Sequence, residues 1–199
     1  MVRAIVAVGL AGLASGAAAQ SGLVVSLTFD RTATAVGETF NATITASWDG
    51  PVGSYLSSVN FDLIANIDGA RVNSVAPVAW NNPALGFDGQ GVASGADVLG
   101  INAAQFSLIP PFSATNPILI TRIGMTVTCN EVGLLTYSVR STAPAGTGAF
   151  SVTGPGFSDP VVFFGEGSFS SMSMLVCPTP GVLGVAGLGG VVPARRRRG

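Results

Sequence analysis

Between Thr39 and Trp48 the sequence alternates without a break. Phe40, Ala42, Ile44, Ala46 and Trp48 share one side of an extended backbone; Thr39, Asn41, Thr43, Thr45 and Ser47 share the other. A period of two over this length fits a half-buried strand and no helix. The same pattern sets Val59, Phe61, Leu63, Ala65 and Ile67 against Ser58, Asn60, Asp62, Ile64 and Asn66. It predicts further strands at Leu23–Phe29, Ile118–Cys129, Gly133–Ser141 and Phe169–Val176. Shorter ones are expected at Arg71–Val75, Val98–Leu108, Ala149–Thr153 and Val161–Gly165. Turn residues separate them, among them Asp49-Gly50-Pro51, Asp68-Gly69, Asn81-Asn82-Pro83 and Pro110-Pro111. Away from the termini no window carries helical spacing. The expected fold class is therefore all-β, an antiparallel sandwich of about nine strands.

The side-chain inventory narrows the chemistry. The chain has no His, and all nine basic residues are Arg, so Lys is absent too. This removes the commonest neutral-pH base, Ser-His and Cys-His pairs, Schiff-base lysines and phosphate-loop lysines. The acids are scattered, mostly beside Gly or at strand ends, where they serve turns. A glycosidase would need two of them facing each other across a cleft. No enzyme activity is expected.

Charge is divided unevenly along the chain. Arg3 and Arg195–Arg198 lie at the ends. Between residues 20 and 177, four Arg face all ten acids, which leaves that stretch six charges negative. A basic nucleic-acid footprint is absent from it. Residues 1–19 read as a secretory signal peptide: a positive start at Arg3, an apolar run from Ala4 to Leu13, and small residues up to Ala19 with Gln20 as the new N-terminus. The other end has Cys177, Pro178, Thr179, Pro180 and Gly181, then an apolar, Gly-rich stretch and four Arg. Apolar residues followed by an Arg cluster form a stop-transfer pattern. The stretch is short for a span of about 30 Å, so transient insertion followed by cleavage is expected. The division is then 1–19 signal peptide, 20–177 sandwich, 178–199 sorting signal.

Pro178-Thr179-Pro180, the hydrophobic segment and Arg195, Arg196, Arg197 and Arg198 resemble the PEP-CTERM class of bacterial sorting signals. Thr179 stands where that family usually has Glu. The resemblance implies export, handling by an exosortase-type membrane protease, and a cell surface or matrix where exopolysaccharide is made. The body has its own resemblance. Ala35-Val36-Gly37-Glu38-Thr39-Phe40 leading into an alternating strand is similar to the opening of cohesin-like domains. So is the later order of Ser58–Ile67, Val72–Val75, a Gly/Asn-rich loop holding Trp80, and the apolar strand Pro117–Cys129. That resemblance implies a nine-stranded jelly roll that binds a protein partner or a polysaccharide without catalysis.

Candidate ligand contacts centre on the loop Pro77–Asp97. Trp80, Phe87 and Phe106 offer aromatic faces for sugar rings; the alternative for Trp80 is a partly buried loop anchor. Asp88 and Asp97 bring carboxylates to the same loop, and Asp88-Gly89-Gln90-Gly91 invites comparison with a calcium loop. No Asp-x-Asp-x-Asp series is present, so no metal or other cofactor is expected. Trp48 ends an apolar face and reads as core. Cys129 and Cys177 are candidates for a disulfide in an exporting compartment; alternatively Cys177 belongs to the sorting signal. The expected role is adhesive or structural, through contact with polysaccharide or a surface protein. The alternative is a carbohydrate-binding module with a groove at loop 77–97.

Overall fold

The computed structural model describes residues 22–128, 133–142, 150–155, 168–169 and 171–177. Among these lie β1 (Leu23–Phe29), β2 (Ala33–Ala35), β3 (Thr39–Trp48), β4 (Tyr55–Ala65), β5 (Ala70–Val75), β6 (Val92–Ser94), β7 (Asp97–Ala104), β8 (Ile118–Val127), β9 (Gly133–Ser141), β10 (Phe150–Thr153), β11 (Ser168–Phe169) and β12 (Met172–Cys177). They form two sheets. The first has the order β11-β1-β3-β8-β5; the second runs β2-β12-β9-β4-β7-β6, with β10 beside the start of β4. Most successive elements switch between the sheets, β6–β7 and β9–β10 excepted, so most pairings join distant parts of the chain.

Alternation explains the layering. In β3 the odd-numbered positions Asn41 to Ser47 stay at the surface while Phe40, Ala42, Ile44, Ala46 and Trp48 are buried. Antiparallel register then aligns the buried sets: Val25 opposite Ala46, Ala42 opposite Ile123, Leu63 opposite Val139. One apolar core fills the space between the sheets. Phe61 stacks on Phe150 at 5.3 Å, and Phe29 meets Phe40 and Tyr137 edge-on at 5.5 and 5.9 Å. Such pairs add to area burial by about 0.5–1.5 kcal/mol each. Trp48 is in the core, as its position predicts.

The pairing is not wholly antiparallel. β1 runs parallel to β11, and β2 parallel to β12. Parallel neighbours need long crossovers, and here more than a hundred residues separate the partners. The cause is a break after Phe29 that sends β1 to one sheet and β2 to the other. β2 and β6 were not evident from pattern, because three residues cannot display a period. β7 stops at Ala104 instead of reaching Leu108. Gln105 ends it: its amide donates to the Leu56 and Ser113 carbonyls at 2.7 and 2.8 Å and accepts from the Ser113 amide at 2.7 Å. Residues 1–21, Cys129, the strand expected at Val161–Gly165 and the whole tail from Pro178 lie outside the described residues.

Candidate functional site

The outer face of the second sheet is built from the polar positions of β4, β7, β9 and β12. Asp62 on β4 sits opposite Arg140 on β9. Its Oδ1 accepts from the Gly100 amide at 2.7 Å, and its Oδ2 from Arg140 Nη2 at 3.3 Å. The Asp62 side chain is 7% exposed and that of Arg140 66%. Gly100 reaches over Asp62 because its φ of 68° lies in the left-handed region, which glycine adopts at little cost. Thr142 Oγ1 donates to Asn60 Oδ1 at 2.6 Å. The Thr136 amide donates to Asn66 Oδ1 at 2.8 Å, and Thr136 Oγ1 shares a hydrogen bond with Ser173 Oγ. This face therefore has Asp62 and Arg140 paired and many of its amides and hydroxyls held before any partner arrives. Aliphatic pairs edge it: Val92 opposite Leu99 on one margin, Leu134 opposite Leu175 on the other, all exposed.

The outer face of the first sheet differs. Ser26, Thr28, Thr43, Thr45 and Thr126 line it with hydroxyls. Arg122 on β8 lies opposite Thr43, and Arg71 on β5 opposite Thr126. Both arginines are exposed, and neither has an ion pair among the described residues.

The four residues expected to form a ligand groove do not share one surface. Trp80 is 4% exposed and packed into the core. Its Nε1 donates to the Leu119 carbonyl at 3.1 Å, so the ring is an anchor. Phe87 is half-buried, and its carbonyl accepts from Asn81 Nδ2 at 2.8 Å. Asp88 is exposed, with its amide bound to Asn102 at 3.0 Å. Asp97 accepts from the Ala65 amide at 2.8 Å, where β4 ends. Asn82, two residues after Trp80, is bonded to Ala104 at the far end of β7 from Asp97. At about 3.3 Å per residue, the two ends of β7 stand roughly 23 Å apart. Trp80 does border a cleft of about 280 Å³ with Pro111, Phe112, Ser113, Ile118 and Leu119. Buried Asn82 and Gln105 hold the loops around it.

Among the described residues, no group of three or more His, Cys, Asp or Glu is placed to hold a metal ion. Among them, too, no helix is long and apolar enough to cross a membrane. The Asn41 amide, donating at 3.0 Å, holds the Asp30 carboxyl below its ordinary 3.8; desolvation opposes this, and the Asn41 side chain and Arg31 add to it. The Ala35 amide does the same for Glu38 from 4.5, with help from the Thr34 hydroxyl and Arg31. Burial pushes the Tyr137 phenol up, and the Asp97 and Asp68 carboxylates push it further. Its hydroxyl has no hydrogen-bond partner among the described residues.

Arg71, Arg122, Asp62 and Arg140 were not singled out by sequence. The available signal was charge within the polar half of an alternating strand, where neutral hydroxyl and amide residues predominate.

No protein-family model matches the sequence. No curated protein matches it either. Solved structures do. A chain of a type I cohesin–dockerin complex from Clostridium thermocellum matches with a TM-score of 0.52 at 9% identity, over 77% of this chain and 99% of that one. A structure of the third cohesin ScaC with the ScaB dockerin, from Acetivibrio cellulolyticus, matches at 0.51 and 12%, over 77% and 98%. CaCohA2 from Clostridium acetobutylicum matches at 0.50 and 15%, over 78% and 91%. The architecture is thus a cohesin-like β-sandwich. At these identities the likeness is one of fold.

Proposed function

We propose that this chain is an exported, non-catalytic interaction module that docks a protein partner on the outer face of its second sheet. The observation that carries the reading is the state of that face. Asp62 and Arg140 are already paired, Asn60 and Thr136 are already bonded, and aliphatic side chains stand at both margins. A surface whose side chains are ordered in advance loses less conformational entropy on binding. Exposed aliphatics beside it supply apolar area to bury. The solved structures of like fold include cohesins bound to dockerins, which supports a protein as the partner class.

In this reading residues 1–19 direct export and Pro178–Gly199 is a PEP-CTERM-like sorting tail, cut by an exosortase-type protease after transient membrane insertion. The destination is the cell surface or the extracellular matrix. Cys129 and Cys177 form a disulfide that ties the last strand to the body. The Gly37 amide bonds to the Val127 carbonyl at 2.9 Å, and Cys177 registers with Ala35, which brings the ends of β8 and β12 toward one turn. The carbohydrate groove at loop 77–97 is the weaker reading, because Trp80 is committed to the core.

The docking test is capture of a defined envelope protein from native cells, repeated with two outward substitutions. Ile64→Arg, near the end of β4 on the second sheet's outer face, should abolish capture. Thr45→Arg, on the opposite face, should leave it intact. Equal loss or equal retention in the two variants contradicts the reading. Intact mass of the native protein tests the ends: loss of residues 1–19 and of the tail is expected, with two hydrogens missing from the cysteines.

A further inference from the structure

We propose that the outer face of the first sheet docks an anionic polysaccharide, one carrying carboxylates at intervals along the polymer, with Arg71 and Arg122 as its charge contacts. This is independent of a protein on the second sheet, which lies on the other side of the core.

Charge complementarity identifies the partner. The residues between positions 20 and 177 carry a surplus of six negative charges, so cations there are scarce. Of the four arginines, Arg31 is paired with Asp30 and Glu38, and Arg140 with Asp62. The remaining two stand on one face, exposed and without an ion pair among the described residues. The strands that form this face place no acid at the outward positions of β1, β3, β8 or β5. Asp30 lies at its rim, bonded to Asn41 and neutralised by Arg31. Asp68 lines a hollow beside Arg71 without forming an ion pair with it.

The geometry suits a polymer laid along the sheet. Arg71 lies opposite Thr126, and Arg122 is four residues from Thr126 on the same strand. Strand rise and spacing then set the two Cα atoms about 14 Å apart. One small anion does not span that distance. Around Arg71, a hollow of about 480 Å³ is bordered by Asn73, Thr126 and Thr128, and the Asn73 amide donates to Thr126 Oγ1 at 2.7 Å. Hydroxyls and amides of this kind match sugar hydroxyls, while each guanidinium presents a planar fork to a carboxylate. Nucleic acid fits poorly. A duplex carries a charge about every 1.7 Å, far denser than two arginines can meet. No aromatic residue among the outward positions of β1, β3, β8 and β5 offers a stacking platform for single-stranded bases.

The test uses the full chain with Arg195–Arg198 replaced by Gln, so that the tail supplies no charge. Alginate, dextran and double-stranded DNA are the probes, read by biolayer interferometry at two salt concentrations. Binding to alginate but not to dextran is expected, weakening as salt rises. The double variant Arg71→Gln/Arg122→Gln should weaken it at least tenfold, and Arg→Lys at both positions should restore part of it. Thr43→Asp, which adds an acid without removing an arginine, should weaken it several-fold. Ser151→Asp, on the other sheet, should stay within twofold. Melting temperatures confirm that each variant is folded. Alginate affinity that ignores the double variant overturns the proposal. So does an equal loss in Ser151→Asp, equal affinity for dextran, or DNA binding through the same arginines with equal strength.

Discussion

The two outer faces of this sandwich arise from the same alternating pattern and end as opposites. On the second sheet, Asp62 is covered by the Gly100 amide and tied to Arg140, and neighbouring amides and hydroxyls bond across strands. On the first sheet, hydroxyls stand in rows, and Arg71 and Arg122 have no ion pair among the described residues. What differs is who satisfies the polar groups. One face satisfies most of its own and offers a firm plateau with aliphatic edges. The other leaves its charge open to an outside partner. A shared core can thus carry two surfaces of different chemistry, since outward positions contribute little to stability and are free to diverge.

The sharpest way to break the distinction is to remove what both faces share. Phe61 is fully buried and stacked on Phe150. Phe61→Ala should cost about 3–5 kcal/mol by chemical denaturation, and binding at both faces should fall together. Asp62→Ala tests the self-satisfied face. It strands the Gly100 amide and removes the partner of Arg140, for an expected loss of about 1–3 kcal/mol. Thr45→Ala on the open face should stay within about 0.5 kcal/mol. If the two losses are equal, the faces do not differ in the way described.

Tyr137 refines the picture from below the second sheet. Its buried hydroxyl is unpartnered among the described residues. Tyr137→Phe should therefore raise stability by about 1 kcal/mol at neutral pH. The folded state keeps this phenol protonated above its ordinary value of 10.0. Its contribution is complete below that value and is lost as pH rises from there toward the raised folded value. Urea midpoints of the wild-type protein should fall in that alkaline range more steeply than those of Tyr137→Phe. The smallest effect is expected at the rim of the first sheet. Asp30 and Glu38 have folded values below 3.8 and 4.5, so their stabilisation is present above those figures. It is lost as pH falls past them toward the lowered values. The double variant Asp30→Asn/Glu38→Gln should flatten the acid limb of a stability–pH curve. Both carboxyls are well exposed, so the change should be slight and should shrink with salt.

Where one face is dry and the other wet, the strands were legible to the residue: Leu23–Phe29, Thr39–Trp48 and Gly133–Ser141 have the expected bounds. Legibility fails where burial departs from alternation. Tyr55 and Leu56 are both buried, which hides the start of β4 from a period of two. The loop holding Trp80 is hard to read locally for a similar reason. Trp80 is followed by Asn81-Asn82-Pro83, which signals an exposed turn. Yet Asn82 is itself buried, capping a short 3-10 turn and bonding to Ile109 and Pro110. That closure depends on a second loop more than twenty residues away, and local sequence carries no trace of it. The Asp62–Arg140 pair needs β4 and β9 in register across 78 positions, so it too awaited the fold. The cohesin-like architecture was within reach because order and alternation of strands are local properties.

The most direct test of two faces with separate chemistry is a titration of isotopically labelled protein with alginate oligosaccharide, followed residue by residue by NMR. Shift changes should gather at Arg71, Thr43, Thr45, Arg122 and Thr126 and be absent at Asn60, Asp62 and Arg140. Changes centred on the second group, or spread evenly over both, would contradict the account.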